Sequence, residues 1–585
     1  MHNLYFPMVL FLFGLAGAAV YLIYRIVVAK QYCSTNTPPP SPQYTFYPPA
    51  ASPYSTQPVS PYTSLPYSGP PNVAPPPDKG RRISELAKQS PDEHMNIAAI
   101  FIILLCIFFV DSGFRTLGGF GSTLLFVASQ CLLLYLFIQK KKNMGKFLLL
   151  SVPIILISVP FSLFCDSKGY FIPYVTLIIL VCLQVVLLSG QEIKGIFSPE
   201  ATVLLLKQIV AIPLANLTFF FGALRGSRSK KTGKIRNLLL AVSGLVLAIP
   251  FLFLLIKLLT DADPLFKVMY DSFIDNLHLN LSFGRFISDF FFGFIIAVFF
   301  GAALIYNYAE KEAELPSVKQ PSLSPVLGFS FTLIINILLA LFSYVQIKYL
   351  FLGSDYSRFI AETGYAEYAR EGFFQLCYAA AIVFLLAMTV LALCRKEGKS
   401  PLYIRLSVLL MSLFSGVLAV SSAKRMLLYI EEYGLSVKRV STLFGILVIL
   451  TALFWLIVKC IFIKLRAVEA IGISMVILVM LFSYVNIDRV VSSYNTVRYI
   501  EAKLNPDINY LFELSYSAIP DVVKLYEYYA TETGSDQFPE ITIEQMKHLL
   551  HFRREQFSQR DLFTYTFYDG QVAEAFSRLP ENILP

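Results

Sequence analysis

The sequence contains few charged residues for its length. Asp, Glu, Lys and Arg make up 15% of its 585 residues, whereas a typical soluble protein has roughly 25%. Hydrophobic residues reach 56%, so the charges are too few to cover the surfaces of several soluble domains. This scarcity excludes a soluble enzyme of ordinary type and indicates a bundle of membrane-spanning helices.

The residues that most often carry chemistry are also scattered. The eight cysteines stand singly without a CxxC pair, which argues against a zinc site or a disulfide framework. A phosphate-binding glycine loop and the HExxH, GxSxG and GxGxxG patterns are absent, so no common catalytic motif is present. We therefore predict no catalytic residue, no cofactor and no metal site, and we favour a protein that is not an enzyme.

Long apolar runs are what the sequence has in abundance. Most are close to the roughly 20 residues that a helix needs to cross a bilayer. Eleven spans are predicted after residue 95, at 96–113, 118–138, 147–164, 171–189, 237–259, 286–306, 325–345, 373–394, 402–420, 440–463 and 467–487. An N-terminal run raises the number to about twelve. The predicted fold class is an all-α integral membrane protein, a polytopic helical bundle with a small soluble helical C-terminal tail.

Composition divides the chain into four segments. Residues 1–30 are predicted to form an N-terminal membrane anchor, and residues 31–95 a Pro-, Ser- and Tyr-rich disordered cytoplasmic tether, because 15 of the 33 prolines lie between positions 38 and 77. Residues 96–487 are the polytopic bundle, and residues 488–585 are an acidic, helical, extracytoplasmic tail. The tether is interpreted as a flexible linker or, alternatively, as a docking strip for a protein partner.

Basic residues predict the orientation of the bundle. The loops on the side of Lys140 carry more Lys and Arg than the opposite loops, which places that side in the cytoplasm. Residues 197–224, interrupted by Pro199 and Pro213, are predicted to lie along the inner interface, because a further span would carry six basic residues outside. Those six are expected to contact anionic lipid headgroups; they are Arg225, Arg228, Lys230, Lys231, Lys234 and Arg236. The net charge of +9 therefore reports orientation and indicates no nucleic acid partner.

Several short motifs resemble a known family. They are Phe220 to Gly226, Tyr365 to Phe374, Leu428 to Leu435, Asn486 to Asp488 with Tyr494-Asn495, and Leu514-Ser515 followed by Ala518 to Pro520. Over roughly residues 95 to 525 the sequence resembles a bacterial family of polytopic membrane proteins known only as a domain of unknown function, of the 4153/4173 type. The resemblance implies a multi-pass protein of the bacterial plasma membrane. It implies no reaction, substrate or catalytic residue.

Polar residues beside the outer span ends form the candidate site. On a helix, Glu367 would meet Arg370 and Glu371 three and four residues later, and a second polar strip precedes the span that begins at residue 440. We predict that both strips and the start of the tail form one external polar cluster, made of Tyr365, Glu367, Tyr368, Arg370, Glu371, Lys424, Arg425, Glu431, Tyr433, Asp488 and Arg498. The first strip is interpreted as an interfacial cap held by surface ion pairs or, alternatively, as an outward-facing ligand or ion site.

The predicted function is that of a non-enzymatic transport, sensory or assembly component of the membrane. The alternative is a membrane enzyme that acts on lipid-linked substrates at the outer interface, with Glu367, Arg370 and Glu371 as its polar groups. No charged residue lies at the centre of a predicted span, which argues against a proton-coupled pump. The mid-span amides of Gln184 and Asn336 are expected to hold helices together rather than to bind substrate.

Overall fold

The computed structural model is helical throughout the part of the chain that it describes. The described residues are 93–111, 118–140, 143–164, 170–190, 195–224, 283–309, 323–348, 373–395, 400–531, 540–560 and 564–579, and these contain no strand. The predicted N-terminal anchor, residues 31–92 of the predicted tether and the predicted span at 237–259 lie outside them. Residues 93–95, the last three of the predicted tether, belong instead to the first helix.

Four membrane-length helices come first, followed by a broken segment. The helices are α1 (Glu93–Phe108), α2 (Gly119–Lys140), α3 (Met144–Phe164) and α4 (Phe171–Leu188). The broken segment consists of α5 (Pro199–Leu206), a π-helical turn (Lys207–Ala211), α6 (Ile212–Ala215) and α7 (Leu217–Leu224). Ser198 caps α5, since its hydroxyl accepts a hydrogen bond from the Ala201 backbone N–H at 3.2 Å. Pro213 lies inside α6 and lacks an N–H, so the backbone ladder is interrupted there.

Five further long helices complete the set of membrane-length elements. They are α8 (Phe283–Ala309), α9 (Pro325–Gln346), α10 (Phe373–Leu393), α11 (Leu402–Tyr433) and α12 (Val437–Ile461). In the described part of the chain, nine helices are therefore long and apolar enough to cross a bilayer, and each coincides with a predicted span. The chain is a multi-pass membrane protein, and the residues that the structure describes contain nine or ten candidate spans.

The C-terminal region begins with a bend. It contains α13 (Ala467–Ser483), α14 (Ile487–Glu501), α15 (Ile508–Glu513), α16 (Ile519–Thr531), α17 (Glu540–Ser558) and α18 (Asp569–Ser577). The axes of α13 and α14 differ by 55°, and together they make a tenth candidate span. The bend falls close to residue 487, where the last span was predicted to end.

The exposed and buried faces of α9 are inverted relative to a helix of a soluble protein. Five of its six buried residues are glycine or polar, namely Gly328, Thr332, Asn336, Ser343 and Gln346. Large apolar side chains such as Ile334 and Leu338 are 71% and 66% exposed. In water this surface would be unfavourable, whereas in a bilayer lipid chains cover it. Thr332, Asn336 and Gln346 form hydrogen bonds with α11 instead of with water.

The long helices pack around two separate apolar cores. We call α1–α4 with α8 the first helix group; its core continues without interruption into α13–α18. We call α9–α12 the second helix group, with a core of its own. Phe444 of α12 belongs to the first of these cores, where it stacks on Phe482 of α13 with ring centroids 4.1 Å apart.

The C-terminal helices satisfy backbone groups that the first helix group leaves open. The last carbonyls of a helix have no partner within it. At the end of α3, the carbonyls of Ser162 and Leu163 accept hydrogen bonds from the backbone N–H groups of Phe567 and Tyr568, both at 2.9 Å. The Phe164 carbonyl accepts another from the Ser517 hydroxyl at 3.0 Å. The C-terminal helices thus form a cap on this end of the first group.

Candidate functional site

The structure locates part of the predicted external polar cluster. Lys424, Arg425, Glu431 and Tyr433 lie on α11, and Asp488 and Arg498 lie on α14. The other cluster members lie outside the described residues, and these are Tyr365, Glu367, Tyr368, Arg370 and Glu371. The predicted headgroup-binding residues also lie outside, and these are Arg225, Arg228, Lys230, Lys231, Lys234 and Arg236.

Arg425 points into the second helix group. Only 7% of the residue is exposed, and its Nη2 lies 3.4 Å from Oε1 of Gln346 on α9. The same oxygen accepts a hydrogen bond from the Ser421 hydroxyl at 2.6 Å. Arg425 therefore joins two helices, while Glu431 and Tyr433 are exposed farther along α11. With 32 residues, α11 is about 48 Å long, so this end extends past the roughly 30 Å hydrocarbon layer.

The turn between α11 and α12 is hydrogen-bonded to α14. Gly434 adopts a φ of +79°, and a Cβ there would lie 2.6 Å from Oδ1 of Asn495, so both conformation and space require glycine. Asn495 donates to the carbonyl of Leu435 and accepts from its N–H, both at 2.8 Å. Arg498 donates to the backbone carbonyl of Glu432. The end of α11 and the start of the tail therefore meet, and Arg498 bonds to the backbone carbonyl of Glu432 rather than to a side-chain carboxylate.

Asp488 forms a hydrogen bond with a different part of the tail, at Ser515. It is 2% exposed, and its Oδ2 accepts a hydrogen bond from the Ser515 backbone N–H at 3.0 Å. Ten residues of helix separate it from Arg498, which is about 15 Å along the α14 axis. The two residues of the predicted cluster therefore act at opposite ends of α14.

Sequence reasoning missed one arginine in this region. The Arg439 guanidinium lies over the ring of Tyr429 at 4.3 Å and donates to the carbonyls of Tyr433 at 3.0 Å and of Gly434. The signal in the sequence was a pair of tyrosines one helical turn apart, followed shortly by an arginine.

Tyr510 of α15 bonds to the start of α12. Its hydroxyl accepts a hydrogen bond from the Val437 N–H at 2.9 Å, and burial raises the pKa of Tyr510 to about 12.

The two mid-span amides join helices, as predicted. Gln184 of α4 and Gln130 of α2 exchange two hydrogen bonds of 2.9 Å, and Gln184 also donates to Ser151 of α3 at 3.0 Å. Asn336 of α9 donates to the hydroxyl and the carbonyl of Ser407 on α11, both at 2.9 Å. These contacts replace hydrogen bonds to water that a bilayer cannot supply.

The first helix group contains a cavity of about 180 Å³. Side chains of α1, α2, α4 and α8 line it, together with one residue of the broken segment. Among the described lining residues, Ser129 and Gln208 are the polar side chains apart from the thiols of Cys106 and Cys182. The Ser129 hydroxyl already donates to the Phe126 carbonyl at 2.7 Å. An apolar cavity with a single polar group available is the usual form of a small-molecule site.

Gln208 is that available group. It lies in the π-helical turn and is 4% exposed. Its Oε1 accepts a hydrogen bond from Nδ2 of Asn307 at 2.7 Å, whereas its buried Nε2 has no hydrogen-bond partner in the described structure. Such an unpaired donor costs about 1–3 kcal/mol. A ligand with an acceptor oxygen would remove that cost.

The broken segment is held in place by contacts at its far end. Nδ2 of Asn96 on α1 donates to the carbonyls of Ala223 and Leu224, at 2.9 and 3.1 Å. Phe220 is fully buried, and its ring occupies the space where a Cβ on Gly301 would lie. The segment therefore packs against α1 and α8; its position along the inner interface stays a prediction. Sequence reasoning passed over Gln208, although an amide in an apolar segment that starts at one proline and is interrupted by another, Pro213, is a recognisable signal.

Among the described residues, no three His, Cys, Asp or Glu side chains lie together as metal ligands. In the comparison with protein families, a model described as a domain of unknown function (DUF4153) matches residues 97–525. No curated protein and no solved structure matches the chain. The matched range runs from α1 into α16 and includes both helix groups and the cavity.

Proposed function

The chain belongs to the family described as a domain of unknown function (DUF4153), and we propose that this multi-pass membrane protein is a non-enzymatic transport or sensory component that binds a small apolar ligand. The ligand, or the end of a longer one, carries a hydrogen-bond acceptor such as a carbonyl oxygen. The observation that carries the proposal is the buried Nε2 of Gln208, which has no hydrogen-bond partner among the described residues and belongs to a cavity-lining side chain.

The size of the cavity supports a ligand of this kind. Its volume of about 180 Å³ exceeds the roughly 150 Å³ that accommodates benzene in an apolar protein interior. A phenyl ring or a short alkyl chain would fill it. The apolar lining supplies affinity for such a group, and the Gln208 amide supplies selectivity for an acceptor.

The surroundings of Gln208 support a role in transport or sensing. The residue belongs to a discontinuous helical segment, and such segments form binding sites in many transporters. Through Asn307 the amide contacts α8, and through Asn96 the far end of the segment contacts α1. A ligand on Nε2 would therefore bias the position of the segment relative to two membrane-length helices, which is what a switch requires.

Several sequence predictions accompany this proposal. The exposed part of the predicted external polar cluster, with Glu431 and Tyr433 among its members, is proposed as the outer contact surface. Anionic lipid headgroups are proposed partners of the inner face, and a protein partner is proposed for the tether. The bacterial plasma membrane is the proposed location, with the C-terminal tail on its outer side.

The test uses two probes of nearly equal shape, acetophenone and ethylbenzene, which differ by a carbonyl oxygen. Thermal unfolding of the purified full chain is followed with each probe. We expect acetophenone to bind about fivefold more tightly, as one hydrogen bond allows. Gln208→Met conserves volume and removes the donor, so we expect it to abolish the difference while ethylbenzene binding persists.

Ser129→Ala is the matched control, because this hydroxyl lines the same cavity and already has a partner. The control should keep the preference for acetophenone. Absence of stabilisation by either probe would refute the cavity as a binding site. A preference that survives Gln208→Met would refute the role of the amide.

A further inference from the structure

The segment that leads into α18 lies against the ends of two membrane-length helices. We call residues 564–568 the aromatic loop. The Tyr565 carbonyl accepts a hydrogen bond from the Phe120 N–H in the first turn of α2 at 3.0 Å. The Phe567 N–H donates to the Ser162 carbonyl in the last turn of α3 at 2.9 Å. The loop therefore pairs with backbone groups that the start of α2 and the end of α3 cannot satisfy within themselves.

These two helix ends lie at the same surface of the bilayer. The helices α2 and α3 follow each other along the chain and run antiparallel, since the Thr123 hydroxyl near the start of α2 donates to the Ser158 carbonyl near the end of α3 at 2.6 Å. Both helices have the length of a membrane span. The aromatic loop is therefore at the depth where two spans leave the hydrocarbon layer. The bias in basic residues predicts that this is the outer surface.

The lipid-facing side of α2 leads directly to the loop. The exposed apolar side chains of α2 recur at helical spacing along one face, and they are Phe120, Leu124, Val127, Leu134 and Ile138. On a membrane span, acyl chains cover such a face. Phe120 is the terminal residue of this face, and its N–H is the one that bonds to Tyr565. The loop thus continues the surface that lipid already covers.

Exposed and buried side chains alternate in the loop, and the apolar ones are exposed. Tyr565 is 45% and Phe567 69% exposed, whereas Thr566 between them is 4% exposed. A surface in contact with water usually shows the reverse, with the threonine outside and the aromatic rings inside. The loop therefore has the same inverted pattern as the lipid-facing helix α9.

Hydrogen bonds fix the backbone that carries the two rings. The buried Asp569 carboxylate accepts from the Thr566 N–H at 3.2 Å and from the Thr566 hydroxyl at 2.6 Å, and it pairs with Arg560 at 3.0 Å. The Tyr568 N–H donates to the Leu163 carbonyl at 2.9 Å. Aromatic rings on a backbone held in this way lose little conformational entropy when a partner covers them.

We propose that the aromatic loop is a membrane anchor, in which the rings of Tyr565 and Phe567 insert into the headgroup region and the adjoining acyl chains. Aromatic rings favour this zone, where their apolar faces contact lipid and a tyrosine hydroxyl stays hydrated. The partner is lipid because the loop continues the lipid-covered face of α2 and lies at the ends of two spans. The C-terminal region, predicted as a soluble tail, is then held to the bilayer as well as to the first helix group.

The test is quenching of tryptophan fluorescence in the full chain, reconstituted into phosphatidylcholine vesicles. The single tryptophan, Trp455, is removed by Trp455→Phe, and Phe567→Trp then reports from the loop. We expect this tryptophan to lose most of its fluorescence when the lipid is replaced by phosphatidylcholine with brominated acyl chains. Acrylamide in the water should quench it only weakly. If the Trp455→Phe background does not fold, Trp455 is retained and its signal is subtracted.

Tyr494→Trp in the same background is the matched control. Tyr494 of α14 is 43% exposed, like Tyr565. Its neighbour Asn495 bonds to Leu435, after the end of α11 that extends past the hydrocarbon layer. We therefore expect brominated lipid to leave the fluorescence of this variant unchanged and acrylamide to quench it strongly.

Three outcomes would overturn the proposal. Strong quenching of Phe567→Trp by acrylamide, with none by brominated lipid, would place the ring in water. Protection from both quenchers would show that a second copy of the chain or another protein covers the loop. Equal quenching of the two variants by brominated lipid would show that contact follows exposure rather than position. The described lining of the Gln208 cavity includes none of the substituted residues, so the two proposals are tested independently.

Discussion

The two helix groups bury different kinds of side chain. In the first group, aromatic rings fill the interior; Phe161 lies against Tyr174 with centroids 5.7 Å apart, and Phe137 stacks on Phe147 at 4.5 Å. In the second group, buried serine, threonine and amide side chains line the contact between α9 and α11, where Ser407 donates to Thr332 at 2.7 Å. Both groups consist of helices of similar length and hydropathy.

The difference reflects two ways to associate helices in lipid. Lipid chains are as apolar as leucine, so the hydrophobic effect does not drive helices together there. The first group relies on close packing, and its core gains support from the C-terminal cap. The second relies on small polar residues that let backbones approach and bond across the interface. Space for an apolar ligand is found in the first group.

The largest expected effect tests close packing in the first group. A Cβ on Gly293 of α8 would lie 2.5 Å from Cα of Ile107 on α1. A Cβ on Gly445 of α12 would meet nothing within 4 Å. We expect Gly293→Ala to lower the free energy of unfolding by about 3 kcal/mol. Gly445→Ala should leave it unchanged or raise it by up to about 1 kcal/mol.

Unfolding of the purified protein in sodium dodecyl sulfate, followed by far-ultraviolet circular dichroism, measures both free energies. Equal effects of the two substitutions would show that the contact between α8 and α1 is not closely packed.

A smaller effect compares the polar contacts of the two groups. Gln184→Leu removes a side chain with three helix-to-helix partners and leaves the Gln130 amide unsatisfied, so it should cost about 2 kcal/mol. Asn336→Leu should cost only about 1.2 kcal/mol, twice the average of about 0.6 kcal/mol for one such bond in a membrane, because it removes two hydrogen bonds to Ser407 and its Oδ1 already has no partner.

The same unfolding measurement applies to this pair. Gln130→Leu combined with Gln184→Leu should recover part of the loss, because no amide is then left unpaired. A larger cost for Asn336→Leu than for Gln184→Leu would contradict the comparison. It would show that the hydrogen bonds between α9 and α11 contribute more to stability than those of Gln184.

The smallest expected effect concerns the cap of the first group and depends on pH. Burial raises the pKa of Asp521 on α16 above its ordinary value of 3.8, although a hydrogen bond of 2.7 Å from Ser492 lowers it. The folded state therefore holds this proton more tightly than the unfolded state does. Stability is lost as pH rises from below 3.8 through the raised pKa.

Asp521→Asn removes this dependence and retains an acceptor for Ser492. The variant should equal the wild type at pH 3 and unfold at a higher temperature at pH 7, as followed by circular dichroism. An advantage of the variant that is greater at pH 3 would reverse the sign and refute the assignment.

Much of the fold could be predicted, and the reasons are specific. Nine described helices coincide with predicted spans because length and hydropathy are local properties. The residue Asp507, which follows a proline, marks the start of α15, where its Oδ1 accepts from the Tyr510 N–H at 3.1 Å. The prediction for α11 ended at residue 420, whereas the helix continues to Tyr433. The polar residues Ser421 and Arg425 ended the predicted apolar run, but in the structure both are buried against α9 and bond to Gln346, so the helix continues.

The candidate sites were less predictable. Arg425 and Asp488 were expected on an external surface, and both have less than a tenth of their surface exposed. Gln208 received no role, since its importance depends on a cavity whose walls come from helices far apart in the chain.

Composition and hydropathy alone determined that this chain is a multi-pass helical membrane protein. Each span must form its backbone hydrogen bonds and reach across the bilayer with its own residues. Tertiary structure decided which polar side chains are satisfied and which are not. It also decided that the C-terminal helices share a core with the first group. Those outcomes depend on distances between helices, and no single apolar run contains that information.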